Sequence, residues 1–377
     1  MRGSLLDELE KLYVVNARSK GLSEFRTITK YPLRIALNPI ISTIGWMLPA
    51  IVGGEVLTSI VLNIPTTGPM LLEALKSNKI MIVKVKEFQL YECELLRPGL
   101  TTFSFLSLGI NPKLAQALMQ SEVTAIAYET IELKDGSLPI LKPMSALTGR
   151  LAIDVATHYL KSPQGGSGKL LSGISGAEPV RVVIIGAGVA GFHAAELALN
   201  MGAKVTVLSR GGKRLEELKQ GLNNHSELEV AEASNLKIAE SVELADVVIG
   251  AVRDAGGSVP KLVTRSMVRS MQKGSVIVDA CIDQGGCIET SRETTLSDPI
   301  FLDEGVLHYC VRNMPGAVPR TATESLADAT LPYITLMAKK GIQAALASDD
   351  ALALGINVEG GKIAHGAVAK ALGFKSQ

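Results

Sequence analysis

Short apolar, β-branched runs alternate with segments of helical periodicity over most of the chain. IMIVKV at 80–85, VVIIG at 182–186, KVTVL at 204–208, DVVIGAV at 246–252 and GSVIVDA at 274–280 read as strands. Between them, LAQALMQ at 114–120, FHAAELALNMG at 192–202 and LVTRSMVRSMQ at 262–272 read as helices. Strands that are apolar throughout and spaced by single helices predict a parallel sheet covered on both faces. The Gly/Ser-rich stretch at 162–179 predicts a flexible approach to the strand that follows it. No internal repeat is present.

Ahead of residue 79 the pattern changes. Residues 35–54, IALNPIISTIGWMLPAIVGG, carry no charge, and a single Glu55 precedes VLTSIVLNIPTTGPMLLEAL. A run of this length can cross a hydrocarbon core of roughly 30 Å as a helix. Arg18, Lys20, Arg26, Lys30 and Arg34 precede it, as on a cytoplasmic flank. Pro39 and Pro49 suit a membrane bundle better than a buried core helix, which is the competing reading. The late start of the run argues against a signal peptide.

Length and charge narrow the classes. A chain of 377 residues predicts two or three domains. Thirty-eight Lys and Arg against 37 Asp and Glu leave a net charge of +1, so no nucleic-acid partner is expected. Cys93, Cys281, Cys287 and Cys310 form no C-x-x-C pair, which points to a reducing, cytoplasmic setting. They also lack His or Cys partners at metal spacing, so buried thiols are expected and no metal site. The mean hydropathy of +0.26 is high, and the excess is concentrated in the N-terminal stretch.

The most informative segment is VRVVIIGAGVAGFHAAELALNMGAKVTVLSR at 180–210. Gly186, Gly188 and Gly191 spell G-x-G-x-x-G between a strand and a helix that opens at Val189, and a second strand follows. Gly186 allows the tight turn, Gly188 lets backbone reach a pyrophosphate, and Gly191 lets helix pack on strand. The helix N-terminus then offers free N–H donors to the phosphates. This predicts a Rossmann-type, doubly wound dinucleotide-binding sheet. Where an NAD-binding carboxylate is expected, the chain has Ser209, followed by Arg210, Lys213 and Arg214. Such a cluster suits a 2′-phosphate, so the cofactor is expected to be NAD or NADP. The plainer reading is that these cations are solvated loop charges.

A second constellation, GSVIVDACIDQGGCIETS, sets Asp279 and Asp283 at and beyond a strand's C-terminal end. Ligands of open parallel sheets lie outside such ends, so Asp283 is expected beside the nicotinamide. Asp279 reads instead as a cap or an ion-pair partner. In HYCVRNMPGAVPRTAT at 308–323, Asn313 is a candidate for contact with substrate or cofactor.

These strings, with YETIELKDGSLPILKPMSALTGRLA at 128–152, resemble the alanine dehydrogenase family over about residues 79–373. NAD(P) transhydrogenase alpha subunits are similar in fold and nucleotide turn. The resemblance implies reversible oxidative deamination of L-alanine to pyruvate and ammonia, with hydride passing to a nicotinamide cofactor in a cytoplasmic homohexamer. It also implies roles: Lys86, in Lys84-Val85-Lys86-Glu87, for the substrate carboxylate; Asp283 as an active-site acid; Ser145 and Asn313 on the cofactor or substrate side. Phe88 replaces the family's proline. Where the family has a catalytic His, this chain reads Phe105-Leu106-Ser107-Leu108, and a serine is no general acid near neutral pH.

Residues 10–76 resemble instead a piece of an oligopeptide/dipeptide ABC-transporter permease, with Ala17 to Gly21 matching the loop that docks on the ATPase. The family's opening strands, including an Arg for the substrate carboxylate, are replaced by this piece. Glu24-Phe25-Arg26 spells the same triplet inside permease-like wording and reads as coincidence. The resulting expectation is α/β, with four parts. A permease-like helical segment at 1–77 contacts a membrane through 35–75; an incomplete and poorly formed substrate domain follows at 78–139. The nucleotide domain spans 140–318, and helices at 319–377 return to the substrate domain. Impaired activity is expected, with a non-catalytic nucleotide-binding remnant and a regulated transport component as alternatives.

Overall fold

Two sheets organise the chain from residue 81 onward in a computed structural model that describes residues 9, 11–21, 23–30, 81–254 and 258–373. The chain divides into one unit at Met1–Ile80 and another at Met81–Gln377. In the first, α1 (Leu12–Ser19) and α2 (Glu24–Lys30) are joined through Gly21, whose φ of +75° ends the preceding helix. Ala17 therefore lies inside α1, where it is buried, and Glu24-Phe25-Arg26 opens α2. The apolar run expected to meet a membrane, 35–75, lies outside the described residues. Among the described residues no helix is long and apolar enough to cross a membrane.

The second unit runs β1 (Met81–Val83), α3 (Leu90–Cys93), β2 (Thr101–Ser104), α4 (Pro112–Gln120), β3 (Thr124–Ala127) and α5 (Leu141–Tyr159). It continues with β4 (Arg181–Ile185), α6 (Val189–Asn200), β5 (Lys204–Ser209), α7 (Gly212–Gly221), β6 (Leu228–Glu232) and α8 (Asn235–Glu243). Next come β7 (Val247–Gly250), α9 (Arg265–Ser270), β8 (Val276–Asp279), β9 (Ile300–Asp303) and β10 (Val306–Tyr309). It closes with α10 (Pro319–Lys340), α11 (Ile342–Ser348), α12 (Asp350–Leu354), β11 (Ile356–Glu359), β12 (Lys362–Ile363) and α13 (Gly366–Ala371).

The larger sheet has the order β6-β5-β4-β7-β8-β10-β9, parallel except for β9. The order reverses between β4 and β7, the point where open parallel sheets bind ligands. Val182 and Ile184 of β4 pack on α5 and α6, and Val183 and Ile185 pack on the opposite face with Ile238 and Val242 of α8. Both faces are thus covered, which is why residues 182–185 of β4 are apolar at successive positions. At Gly149 of α5, a Cβ would lie 2.1 Å from the Ala190 carbonyl oxygen, so α5 presses directly on the start of α6.

The smaller sheet, β1-β2-β3-β11-β12, corrects one expectation. A poorly formed substrate domain was anticipated, yet β1, β2 and β3 pair in parallel and β11 joins β3 antiparallel. Phe103, Ile126 and Tyr128 are buried with Leu326 and Met337 of α10, Leu346 of α11 and Leu352 of α12. The Phe103 and Tyr128 rings meet edge-on at 4.5 Å. The C-terminal segment supplies both a strand and a covering layer, so the sheet closes a core without the missing opening. Among the described residues β1 is a short edge strand, with Val83 exposed. The strand read over IMIVKV is limited to three residues, and the helix read at 262–272 to six.

Over residues 166–171 the stretch at 162–179 is not a flexible approach. The Ser167 N–H donates to the Gly274 carbonyl at 2.9 Å and the Gly168 N–H to that of Leu160 at 2.8 Å. Lys169 Nζ meets Asp246 Oδ1 at 2.7 Å, and Leu171 is fully buried. A Cβ at Gly166 would lie 2.1 Å from the Tyr159 carbonyl oxygen. Its glycine therefore serves close packing, a use that composition alone does not distinguish from looseness.

Candidate functional site

At the C-terminal end of β4 the chain turns through Gly186, with φ +119°. A Cβ there would sit 2.3 Å from the Ala251 carbonyl oxygen, just past β7 at the switch point of the sheet. The Gly186 N–H donates to Leu208 at 2.8 Å and so ties the corner to β5. Gly191 has its Cβ position 1.9 Å from the Gly186 carbonyl oxygen, closing helix onto strand. Gly188 differs from both. It caps α6 with extended backbone, and a Cβ there would meet nothing within 4 Å. Open space before a helix N-terminus with no acidic residue in its first turn fits a dinucleotide pyrophosphate. Val189, half-buried, opens that helix.

Ser145 lies one turn before Gly149 on α5, hence on the face that meets the start of α6. Ser209 ends β5 and its carbonyl accepts the Ala233 N–H at 3.0 Å. Arg210 and Arg214 are exposed beyond it, and Lys213 pairs loosely with Glu217 at 3.8 Å. Arg214 lies within electrostatic reach of Arg253, a second cation that motif reading missed. Arg253 follows β7, so it is brought here by the strand order and not by sequence proximity.

Asp283 lies on the 3-10 turn Ile282–Gln284, directly after β8. Desolvation raises its carboxyl above the usual carboxylate range, while Lys86 and Arg312 pull it back. The two lysines of Lys84-Val85-Lys86-Glu87 divide their work. Lys84 pairs with Glu92 and sits 5.0 Å over the Phe88 ring, whereas Lys86 is the one that acts on Asp283. Arg312 was missed by motif reading. It comes from the loop after β10, the parallel neighbour of β8, so both loops emerge at one edge of the sheet. Asn313, next in the chain, is exposed, has φ +61° and starts the 3-10 turn Met314–Ala317.

Ser107 stands in a left-handed conformation, φ +49°, and is exposed. Its N–H donates to Glu129 Oε1 at 2.6 Å, and the Leu106 N–H donates to the same carboxylate at 3.2 Å. Glu129 thus clamps the 105–108 turn. Burial raises its carboxyl, and the N–H donors oppose that shift. Glu129 also escaped motif reading, because its partners are backbone groups more than twenty residues away.

A switch-point glycine corner, with an acid and cations at the C-terminal edge of the same parallel sheet, defines a dinucleotide-binding oxidoreductase. Comparison with known proteins makes the assignment narrower. The family described as alanine dehydrogenase/PNT matches with its C-terminal domain at residues 152–366 and its N-terminal domain at 71–148. The chain belongs to this alanine dehydrogenase family, and it is an NAD(P)-dependent amino-acid dehydrogenase.

Alanine dehydrogenase of Halomonas elongata is 47% identical over 78% of this chain and 79% of its own. That of Methanococcus maripaludis is 46% identical over 77% and 78%. A solved L-alanine dehydrogenase superposes with a TM-score of 0.72 at 41% identity, covering 82% of this chain and 83% of its own. A transhydrogenase from Sinorhizobium meliloti shares the fold, with a TM-score of 0.62 at 22% identity over 78% of this chain and 82% of its own. A second family, the inner membrane component of binding-protein-dependent transport systems, matches residues 1–109. That match overlaps β1 and β2, which pair with one another in the smaller sheet.

Proposed function

We propose that the chain catalyses the reversible oxidative deamination of L-alanine to pyruvate and ammonia. The observation that carries this reading is the convergence of Lys86 and Arg312 on Asp283 at the sheet edge that also bears the glycine corner. Lys86 holds the substrate carboxylate by a charge-assisted hydrogen bond. Asp283, whose carboxyl desolvation raises, exchanges a proton with the reacting amine. Asn313 orients substrate or the nicotinamide amide. Gly186, Gly188, Val189 and Gly191 seat the pyrophosphate, with Ser145 alongside, and Ser209, Arg210 and Arg214 take the adenosine ribose and its 2′-phosphate. The nicotinamide group, when bound, supplies the hydride acceptor.

Ser107 cannot replace an imidazole as acid/base, which lowers the expected rate by roughly 10²–10⁴-fold. The substrate domain is drawn from 78–139 and 319–377, the nucleotide domain from 140–318, and the assembly is a homo-oligomer, a hexamer by family resemblance. The segment at 1–77 is permease-like and associates with membrane, a reading supported by the transport-family match.

The full chain, purified and supplied with L-alanine, tests the main reading through formation of reduced cofactor. Slow alanine-dependent NADH or NADPH formation is expected. Tight cofactor binding with no turnover, even at high enzyme concentration, would leave a non-catalytic nucleotide-binding remnant, the reading favoured by Ser107. Separation of cell membranes tests the N-terminal segment, since recovery of the chain away from the membrane pellet refutes it.

A further inference from the structure

Behind the turn that carries Asp283 lies a second group of side chains that the reaction does not use. β8 ends at Asp279; the chain then passes Cys281, the 3-10 turn, and Gly285 and Gly286 at φ +91° and +72° before reaching Cys287. The two positive-φ glycines fold the loop back, and the Gly286 N–H closes it on the Cys281 carbonyl at 3.0 Å. A carboxylate oxygen of Asp279 and the sulfurs of Cys281 and Cys287 consequently all lie within 4.8 Å of one another. Linear spacing gave no hint of this, because the grouping depends on a hairpin made by two glycines.

We infer that Asp279, Cys281 and Cys287 form a binding site for a thiophilic divalent cation of the zinc type. Three observations carry it. First, the donor separations suit one ion. Cys281 Sγ is 3.1 Å from Asp279 Oδ1, and ligands at zinc distances of about 2.3 Å for sulfur and 2.1 Å for oxygen lie roughly 3.5 Å apart on a tetrahedron. Second, the carboxylate is poorly served by the protein. Asp279 is fully buried, has no ion pair among the described residues, and accepts from one thiol, Cys281 Sγ at 3.1 Å, and through long N–H contacts from Cys287 at 3.5 Å and Ile288 at 3.3 Å. Burying a carboxylate without a cation is costly.

Third, glycines keep the space clear. A Cβ at Gly250 would lie 2.6 Å from Cys287 Sγ and 2.9 Å from Asp279 Oδ1, and one at Gly286 would lie 2.5 Å from Asp279 Oδ2. Two thiols and a carboxylate select zinc-like ions over magnesium or calcium. Binding replaces both thiol protons, so two protons leave for each cation bound. A bound cation pins residues 281–287, and with them the turn that presents Asp283. The inference rests on this loop alone and does not depend on the substrate assignment.

The test is anaerobic titration of the reduced, full-length protein with cobalt(II). One equivalent is expected to produce thiolate-to-cobalt charge-transfer absorption and the visible bands of a tetrahedral ion, both displaced by zinc. Cys281→Ala is expected to remove the charge-transfer band, Asp279→Asn to weaken binding at least tenfold, and Cys93→Ala to change nothing. Circular dichroism checks that each variant is folded. Calorimetry of zinc binding in buffers of different ionisation enthalpy needs no variant, and release of about two protons per cation is expected. Absence of the band, its persistence in Cys281→Ala, zinc binding without proton release, or a Cys281–Cys287 disulfide in freshly purified protein would each overturn the inference.

Discussion

Gly191 sits so close beneath Gly186 that a Cβ on it would lie 1.9 Å from the Gly186 carbonyl oxygen, whereas the Cβ position of Gly188 is open. The three glycines of one motif therefore do separable jobs. Gly191→Ala forces α6 away from β4 and is expected to cost about 1–3 kcal/mol of stability or more. Gly188→Ala is expected to leave the melting temperature nearly unchanged while abolishing tight NADH binding. Thermal unfolding paired with NADH fluorescence reads both, and stability loss at Gly188 alone would refute the division.

The electrostatics of Asp283 set a pH dependence. Desolvation raises its carboxyl and the nearby cations lower it, so the acid limb of kcat/KM lies above the ordinary carboxylate range. Removing a cation disfavours the ionised form. Arg312→Ala is therefore expected to move that limb to higher pH, and Asp283→Asn to abolish it and reduce kcat by roughly 10²–10⁴-fold. A limb that moves to lower pH in Arg312→Ala would show that the guanidinium does not act on this carboxyl.

Ser107 occupies φ +49°, a region His tolerates better than most side chains. The Glu129 clamp holds the turn through backbone N–H groups and so survives substitution of the side chain. Ser107→His is expected to raise alanine turnover by roughly 10²–10⁴-fold without changing NADH affinity. Steady-state rates measured beside cofactor titrations decide the point, and an unimproved kcat counts against a missing acid/base.

Arg210 and Arg214, proposed to take a 2′-phosphate, are exposed beyond β5, and Arg253 lies within electrostatic reach of Arg214. Charge-assisted hydrogen bonds are worth about 1.5–3 kcal/mol. Arg210→Ala with Arg214→Ala is expected to raise the KM for NADP by tenfold or more and leave that for NAD unchanged. Equal effects on the two cofactors would identify these residues as ordinary surface charges.

The glycine corner was legible because its parts are contiguous: a strand, three glycines at fixed spacing, a helix, and the next strand. The apolar β4, β5, β7 and β8 were legible for a similar reason, since burial on both faces leaves a run of like residues. Strands β2, β11 and β12 were not, because their few residues mix polar and apolar types and are stabilised by neighbours distant in the chain. The Gly/Ser-rich stretch at 162–179 misled because glycine signals freedom in one context and close approach in another. Only the contacts to Gly274 and Leu160 distinguish the two.

What the sequence determined by itself is local: the glycine corner at 186–191, the carboxyl of Asp283 just past a strand end, the hydroxyl at Ser107 and the charge-free run at 35–54. Tertiary structure alone decided which distant groups meet. It set Arg312 and Lys86 on Asp283, hung the Ser107 turn on Glu129, and rebuilt a five-stranded sheet from β1–β3 and the returning β11 and β12. The physical reason is range. Backbone geometry and helix periodicity act over a few residues, whereas electrostatic contacts and core packing act across space between segments that the chain order keeps far apart.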